Sequence, residues 1–192
     1  MQEVLATYAR VNGAMHGDGR HVIDSVVKAC HEMLRDRGYV DVSCAPDTVE
    51  SIVAGEPVVR ASRPRPIAVY MHHEDKVGVK ALRTLVQQPS DVVVVSVDGP
   101  TPFTRKESDS TVQFLLARHL VYNVTQHTLV PSFRVVDGPP DGVTPDTLPL
   151  ILETDPVVQY YKWPVGTVVH SERVFGGNEP IDYYRLVSAS SA

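Results

Sequence analysis

Only two cysteines, Cys30 and Cys44, occur among the 192 residues, which excludes a disulfide framework and points to a reducing compartment. An excess of positive charge is also missing: 18 Lys and Arg face 23 Asp and Glu, a formal net charge of -5. That excludes a general attraction for phosphate backbones, so any nucleic-acid contact must be local or supplied through a partner. The imbalance is uneven, with 11 basic and 12 acidic residues over 1–96 but 7 and 11 over 97–192, which makes the N-terminal half the better neighbour for a polyanion. No apolar run approaches the roughly 18 to 20 residues of a membrane-spanning helix. None follows Met1 as a secretory signal would, and without that route the sequon Asn123-Val124-Thr125 reads as ordinary sequence. There is no Gly-x-x-x-x-Gly-Lys-(Ser/Thr) loop, since Gly13, Gly17 and Gly19 come without the lysine and the preceding strand of a phosphate cradle. Internal repeats are absent.

What the chain has in quantity is apolar side chains, 43% of the total, of which 34 are valine. β-Branched side chains suit a pleated, half-buried surface, so substantial sheet is expected. The length allows one large or two modest domains, and the composition is that of a globular protein. An amphipathic helix is expected from residue 20, with Val22, Val26, Cys30 and Met33 or Leu34 on one face, Arg35 and Arg37 in its last turn and Gly38 as its left-handed cap. A short strand is expected over 39–42. Asp47 and Glu50 have capping-box spacing before a short helix closed by Gly55. Residues 60–66, with Pro64 and Pro66, read as a loop, followed by a strand at 67–71, a turn at 72–76 and a helix at 79–86 stopped by Pro89. The continuous apolar strand at 91–97 is expected at the centre of the sheet. Asp98-Gly99-Pro100 turns the chain, and residues 111–124 favour strands at their ends. Four prolines and two glycines over 137–149 mark a loop that divides most of the chain from its last 45 residues or so. Asp155-Pro156 starts a helix, and strands at 167–175 and 181–187 close the chain as a hairpin around Gly176, Gly177, Asn178, Glu179 and Pro180.

Potential chemistry is sparse. His72, His73, Glu74 and Asp75 are adjacent, but neighbouring side chains on an extended segment diverge, and a polar turn is the preferred reading. Pro46-Asp47 followed by Glu74-Asp75-Lys76 imitates the pattern by which metal-dependent endonucleases hold Mg²⁺ and support an attacking water. Asp47 already has a duty as a helix cap. His127 has no nucleophile or carboxylate at a recognisable spacing. Tyr160, Tyr161, Tyr183 and Tyr184 concentrate aromatic surface near the C-terminus, which suits an interface or a small core equally.

Four stretches nevertheless resemble one family. Asn123-Val-Thr-Gln-His127-Thr-Leu129-Val130-Pro131, Asp155-Pro156-Val-Val-Gln-Tyr160-Tyr161, Gly166-Thr-Val-Val169 and Tyr183-Tyr-Arg185-Leu-Val187 are similar to the assembly domain of the fifth subunit shared by eukaryotic nuclear RNA polymerases, and to the archaeal polymerase subunit that consists of that domain alone. Upstream, Arg37-Gly38-Tyr39, Lys76-Val-Gly-Val-Lys80 and Thr101-Pro102 resemble that family's N-terminal jaw. The resemblance implies an α/β (α+β) chain with two domains. Residues 1–119 would be a jaw with a mixed sheet flanked by helices, restriction-endonuclease-like but without that active site. Residues 120–192 would be a small α+β assembly domain ending in a β-hairpin. It further implies a non-catalytic, cofactor-free and metal-free subunit of a nuclear polymerase, or of a viral one in the cytoplasm or virion. The largest subunit would be met through His127, Leu129, Val130, Pro131, Asp155, Pro156, Tyr160, Tyr183 and Arg185, and other polymerase subunits are implied as partners. Downstream duplex DNA would lie near Thr101, Pro102, Arg105 and Lys106. Two departures stand out: Phe103-Thr104 replaces small residues, and 137–147 is short and proline-rich where the family has a charged helix, with Ser132-Phe133 in place of a pattern ending in histidine. The docking surface has diverged, as in a specialised paralogue or a viral version. A metal-dependent endonuclease is the alternative, with a free-standing binding module third.

Overall fold

The computed structural model describes residues 1–11, 18–86, 90–173 and 179–189. The chain divides into two compact units, Met1–Asn123 and Val124–Ala192.

The first unit opens with α1 (Gln2–Ala9) and α2 (Gly19–Asp36). Helix α2 starts where Asp18 accepts a hydrogen bond from the Arg20 backbone, and it buries Val22, Ile23, Val26, Cys30, Met33 and Leu34. Gly19 is required by close approach: a Cβ there would overlap the Leu5 carbonyl oxygen of α1. Gly38 follows the helix with φ 83°, as the cap reading expects. The expected strand at 39–42 is reduced to a single bridge between Val40 and Arg63, because Asp41 turns the chain at φ 56°; the strand proper is β1 (Ser43–Cys44). In α3 (Thr48–Ala54) the Asp47 carboxylate accepts from the Val49 and Glu50 backbone N–H groups, both at 3.0 Å, and Gly55 ends the helix at φ 70°.

Strand β2 (Val59–Ala61) takes Arg60 and Ala61 out of the expected loop. It is followed by β3 (Ile67–Met71), β4 (Lys76–Val77), α4 (Val79–Leu85), β5 (Asp91–Ser96), β6 (Gly99–Pro100), α5 (Pro102–Glu107) and β7 (Val112–Leu116). Gly13, Gly17 and Pro89 lie outside the described residues. The main sheet has the order β1-β2-β3-β5-β7, antiparallel across the first two junctions and parallel across the last two. Its middle strand is β3, not the four-valine strand, which lies one position away and is covered on both faces all the same. Ala68, Tyr70, Val92 and Val94 share one face with Val77, Ala81, Leu85 and Phe114 packed on it. By alternation Val69, Met71, Val93 and Val95 face the opposite side, and all are buried. Residues 111–124 supply one strand, β7, and then a 3-10 turn at Ala117–His119.

The second unit begins with a 3-10 turn at Val124–Gln126 and contains β8 (Phe133–Val136), β9 (Leu150–Leu152), α6 (Pro156–Tyr161), β10 (Val168–Arg173) and β11 (Ile181–Ser188). The sheet order is β8-β10-β11-β9, with β9 parallel to β11 and the other pairs antiparallel. The expected hairpin is present, in register from Val168↔Leu186 to Arg173↔Ile181, although Gly176, Gly177 and Asn178 of its connection lie outside the described residues. Residues 137–149 do not separate two parts of the chain. They join β8 to β9 within one sheet, because β8 pairs with β10. Ile151, Val158, Val169 and Val187 form the core beneath α6, with Phe133 and Trp163 packed against it. Both units together make a mixed α+β architecture.

Candidate functional site

In the first unit the residues of interest sit on a pinned turn. Gly99 adopts φ 84° and its N–H donates to Ser96 Oγ at 3.1 Å, which brings β6 alongside β4. Thr101 caps α5, accepting from the Thr104 backbone, and Pro102 fills the first helical position. Thr104 is fully buried, and its hydroxyl donates to the Val77 carbonyl at 2.8 Å. That anchor turns Phe103, Arg105 and Lys106 outward, with Phe103 77% exposed. The neighbouring carboxylate, Glu107, is held by Arg83 at 2.6 Å and so leaves the two cations unneutralised on that side. Such a turn can meet phosphate by charge and offers one apolar ring beside it.

In the second unit directly paired residues share a face, so Val135, Val169 and Arg185 form one row and Phe133, Ser171 and Tyr183 the next. Beyond the part covered by α6 this face exposes Val135 and Ile181, while Arg173 lies over the Tyr183 ring with its guanidinium carbon 5.7 Å from the centroid. Arg185 donates to the Leu150 carbonyl at 3.1 Å, and a cleft of 350 Å³ is lined by Phe133, Ile151, Asp155, Arg173 and Arg185 among others. The structure therefore brings Asp155 and Arg185 to one cleft. Asp155 also accepts from the Val157 backbone at 2.9 Å, with Pro156 beginning α6. His127 is exposed and its Nδ1 accepts from the Leu129 backbone at 3.2 Å, which shapes a loop whose tip is Leu129, 85% exposed. Val130 and Pro131 are half-buried behind it. Tyr160 is different: it is 2% exposed and set edge-on to Tyr161, so it shapes the fold and presents no surface.

Sequence reading missed a polar group on the opposite face of this sheet. His170, 2% exposed, has Nε2 2.6 Å from Asp182 Oδ1 and accepts at Nδ1 from Arg134 Nε at 3.0 Å; Tyr184 packs its ring 4.9 Å away. Because Nδ1 accepts, the ring proton is on Nε2 and is given to Asp182. His170, Glu172 and Asp182 have donor atoms close enough to surround a cation. Arg134 already occupies that role, bonded to His170 and 4.0 Å from Glu172, so the group is a strand-to-strand tie. The hairpin register was the signal that could have found it, since pairing Glu172 with Asp182 puts His170 and Tyr184 opposite each other.

The endonuclease-like residues are not gathered. Asp47 lines a 430 Å³ cleft with Cys44, Glu50, Glu56 and Arg60, whereas Glu74 and Asp75 line another with Glu3, Thr7 and Val53. Asp75 is bound by Arg10 at 2.9 Å.

With this geometry in view, the comparison with known families is informative for the second unit. Residues 141–187 match the family model described as RNA polymerase Rpb5, C-terminal domain, so this part of the chain is similar to that domain. No curated protein matches the chain. The matched stretch contains Asp155, Pro156, Tyr160, Tyr183 and Arg185; His127, Leu129, Val130 and Pro131 precede it.

Proposed function

We propose that this chain is a non-catalytic subunit of a multisubunit DNA-directed RNA polymerase, docked on the largest subunit through its second unit. The observation that carries this reading is the Rpb5 C-terminal match over 141–187, which coincides with the cleft lined by Asp155 and Arg185. Exposed Leu129, Val135 and Ile181 beside half-buried Tyr183 and Arg185 have the aromatic, Arg and aliphatic character of an interface centre. The first unit serves as the lower jaw near downstream DNA, and its mixed sheet flanked by helices suits a restriction-endonuclease-like core without the nuclease site. There Arg105 and Lys106 hold phosphate without reading sequence, contributing a slope of about -0.9 per phosphate neutralised to the salt dependence. The site of action is the nucleus, or the transcription compartment of a virus.

Affinity purification of the tagged full chain should recover the largest polymerase subunit. Arg185→Glu, placing an acid in the cleft, should weaken that recovery by about 2 kcal/mol, roughly thirty-fold. Recovery of the polymerase that Arg185→Glu leaves intact would move the docking surface elsewhere, and no polymerase at all would end the reading. The purified chain should leave DNA uncut with Mg²⁺ or Mn²⁺; cutting that Asp47→Ala with Lys76→Ala abolishes would restore the endonuclease alternative.

A further inference from the structure

A phosphate contact leaves the outward ring on α5 without a role. Strands β4 and β6 run parallel, in register from Lys76↔Gly99 to Val77↔Pro100, and α4 and α5 start just beyond their ends. The two helices leave side by side, and Arg83 Nε and Nη2 both meet Glu107 Oε1 at 2.6 Å across their last turns. Helical spacing then fixes what lies one turn nearer their starts. Lys80 is three residues before Arg83 and Phe103 four before Glu107, so Lys80 and Phe103 occupy the facing sides of the pair. Lys106, three residues after Phe103, is the ring's neighbour on the other side. Phe103, 77% exposed, is thus set between two exposed cations.

Among the described residues Lys80, Arg105 and Lys106 form no ion pair. The acids nearest in sequence are engaged: Glu107 by Arg83, Asp75 by Arg10, and Asp109 by the Thr111 N–H and hydroxyl. Asp98, exposed, lies at the opposite end of β6 from α5. The backbone beneath the ring is fixed, since the Thr101 N–H and the Thr104 hydroxyl both donate to the Val77 carbonyl, at 3.1 and 2.8 Å. A single exposed ring needs no partner by itself. A ring held between unpaired cations is a different case, because the cations draw in a polyanion and press it against the ring.

An anionic membrane is a poor match, since one ring offers little of the apolar face that interfacial helices bury in lipid. Duplex DNA is a better one. Phosphates line both edges of a minor groove about 6 Å wide with base edges between them, an order of charge, apolar surface and charge that the strip complements. Phenylalanine is among the side chains that enter this groove and part a base step, which is easiest at flexible pyrimidine–purine steps.

We propose that Phe103 is a wedge for the minor groove of duplex DNA, with Lys80 and Lys106 on the phosphates at its two edges, so that the first unit favours deformable steps. This rests on the reading of that unit as a jaw beside downstream DNA and adds to it, because cations alone favour no step.

The full chain at low salt is titrated with two short duplexes of equal length, carrying 2-aminopurine either at a central T–A step or within a stiff A-tract. Wild type should bind the first about five-fold more tightly and raise its 2-aminopurine emission, which reports unstacking. Phe103→Ala should unfold at the same temperature as wild type and lose both the preference and the emission, with its salt dependence unchanged. Phe103→Leu, another apolar wedge, should keep both. Lys80→Ala with Lys106→Ala should instead flatten the slope of log affinity against log salt by about 0.9 per charge removed. Salt-dependent binding with no emission change in wild type, or with Phe103→Ala as bright as wild type, overturns the wedge and leaves the phosphate contact standing. No binding to either duplex overturns both. Capture of wild type on anionic phospholipid vesicles, lost in Phe103→Ala, with the two duplexes bound alike, overturns the wedge in favour of a membrane contact.

Discussion

Cys30 and Tyr8 show how burial alone sets chemistry in the first unit. Burial pushes the Cys30 thiol up to about 12, with Arg37 opposing and Cys44 adding to the rise. Burial also raises the Tyr8 phenol, whose hydroxyl is bonded to the His72 carbonyl. Both groups are neutral in the fold across the physiological range. In the unfolded chain the Cys30 thiol ionises near 9.0, so its contribution to stability is complete below that pH. As pH rises from 9 toward 12 the unfolded state loses the proton that the folded state keeps, and stability falls. Denaturant titrations between pH 8 and 11 should show this decline, and Cys30→Ala should be less stable at pH 8 but should decline less steeply. At pH 8 alkylation followed by peptide mapping should find exposed Cys44 modified and buried Cys30 protected.

At the scale of the element, Asp47 and Asp155 do the same work at the start of two short helices, each accepting backbone N–H groups that α3 and α6 would otherwise leave unpaired. Asp47→Ala and Asp155→Ala should each lower stability by about 1 kcal/mol. Asp47→Asn discriminates between a cap and a metal ligand: asparagine caps about as well as aspartate, so denaturation midpoints should barely move, whereas a charge-dependent role would not tolerate it. These helices were legible in the sequence because capping, proline at the first position and Gly55 after the last turn are local signals. The β3 and β5 strands were legible for a related reason, since a continuous apolar run needs no partner to be recognised. Residues 111–124 were not, because their apolar side chains satisfy a strand and a helix alike until β5 supplies the pairing for β7.

On the scale of the molecule, the second unit holds its own sheet and core between Val124 and the C-terminus. A fragment of residues 124–192 should therefore fold, with a cooperative thermal transition by circular dichroism. A fragment beginning at residue 141, where the family match begins, removes β8 and strips one edge of β10 along with Phe133 from the core. It should show no such transition. Equal behaviour of the two fragments would mean that β8 is dispensable and that the proline-rich stretch at 137–149 is a domain boundary after all.

The sequence by itself determined the class of fold, most of the helix ends, the strand at 67–71, the closing hairpin and the family of its C-terminal part. Each of these is written in residues a few positions apart, as periodicity, capping or turn chemistry. Tertiary structure alone decided the remainder, because each case needed groups distant in sequence to be brought together. The order β1-β2-β3-β5-β7 put β3 in the middle, and the pairing of β8 with β10 made 137–149 an internal connection. The fold filled the space beside His170 with Arg134, 36 residues away, which turned a cation-sized cluster into a tie between strands. At the end of β3 it tied His72 to two distant groups, its N–H donating to the Val95 carbonyl and its carbonyl accepting from the Tyr8 hydroxyl.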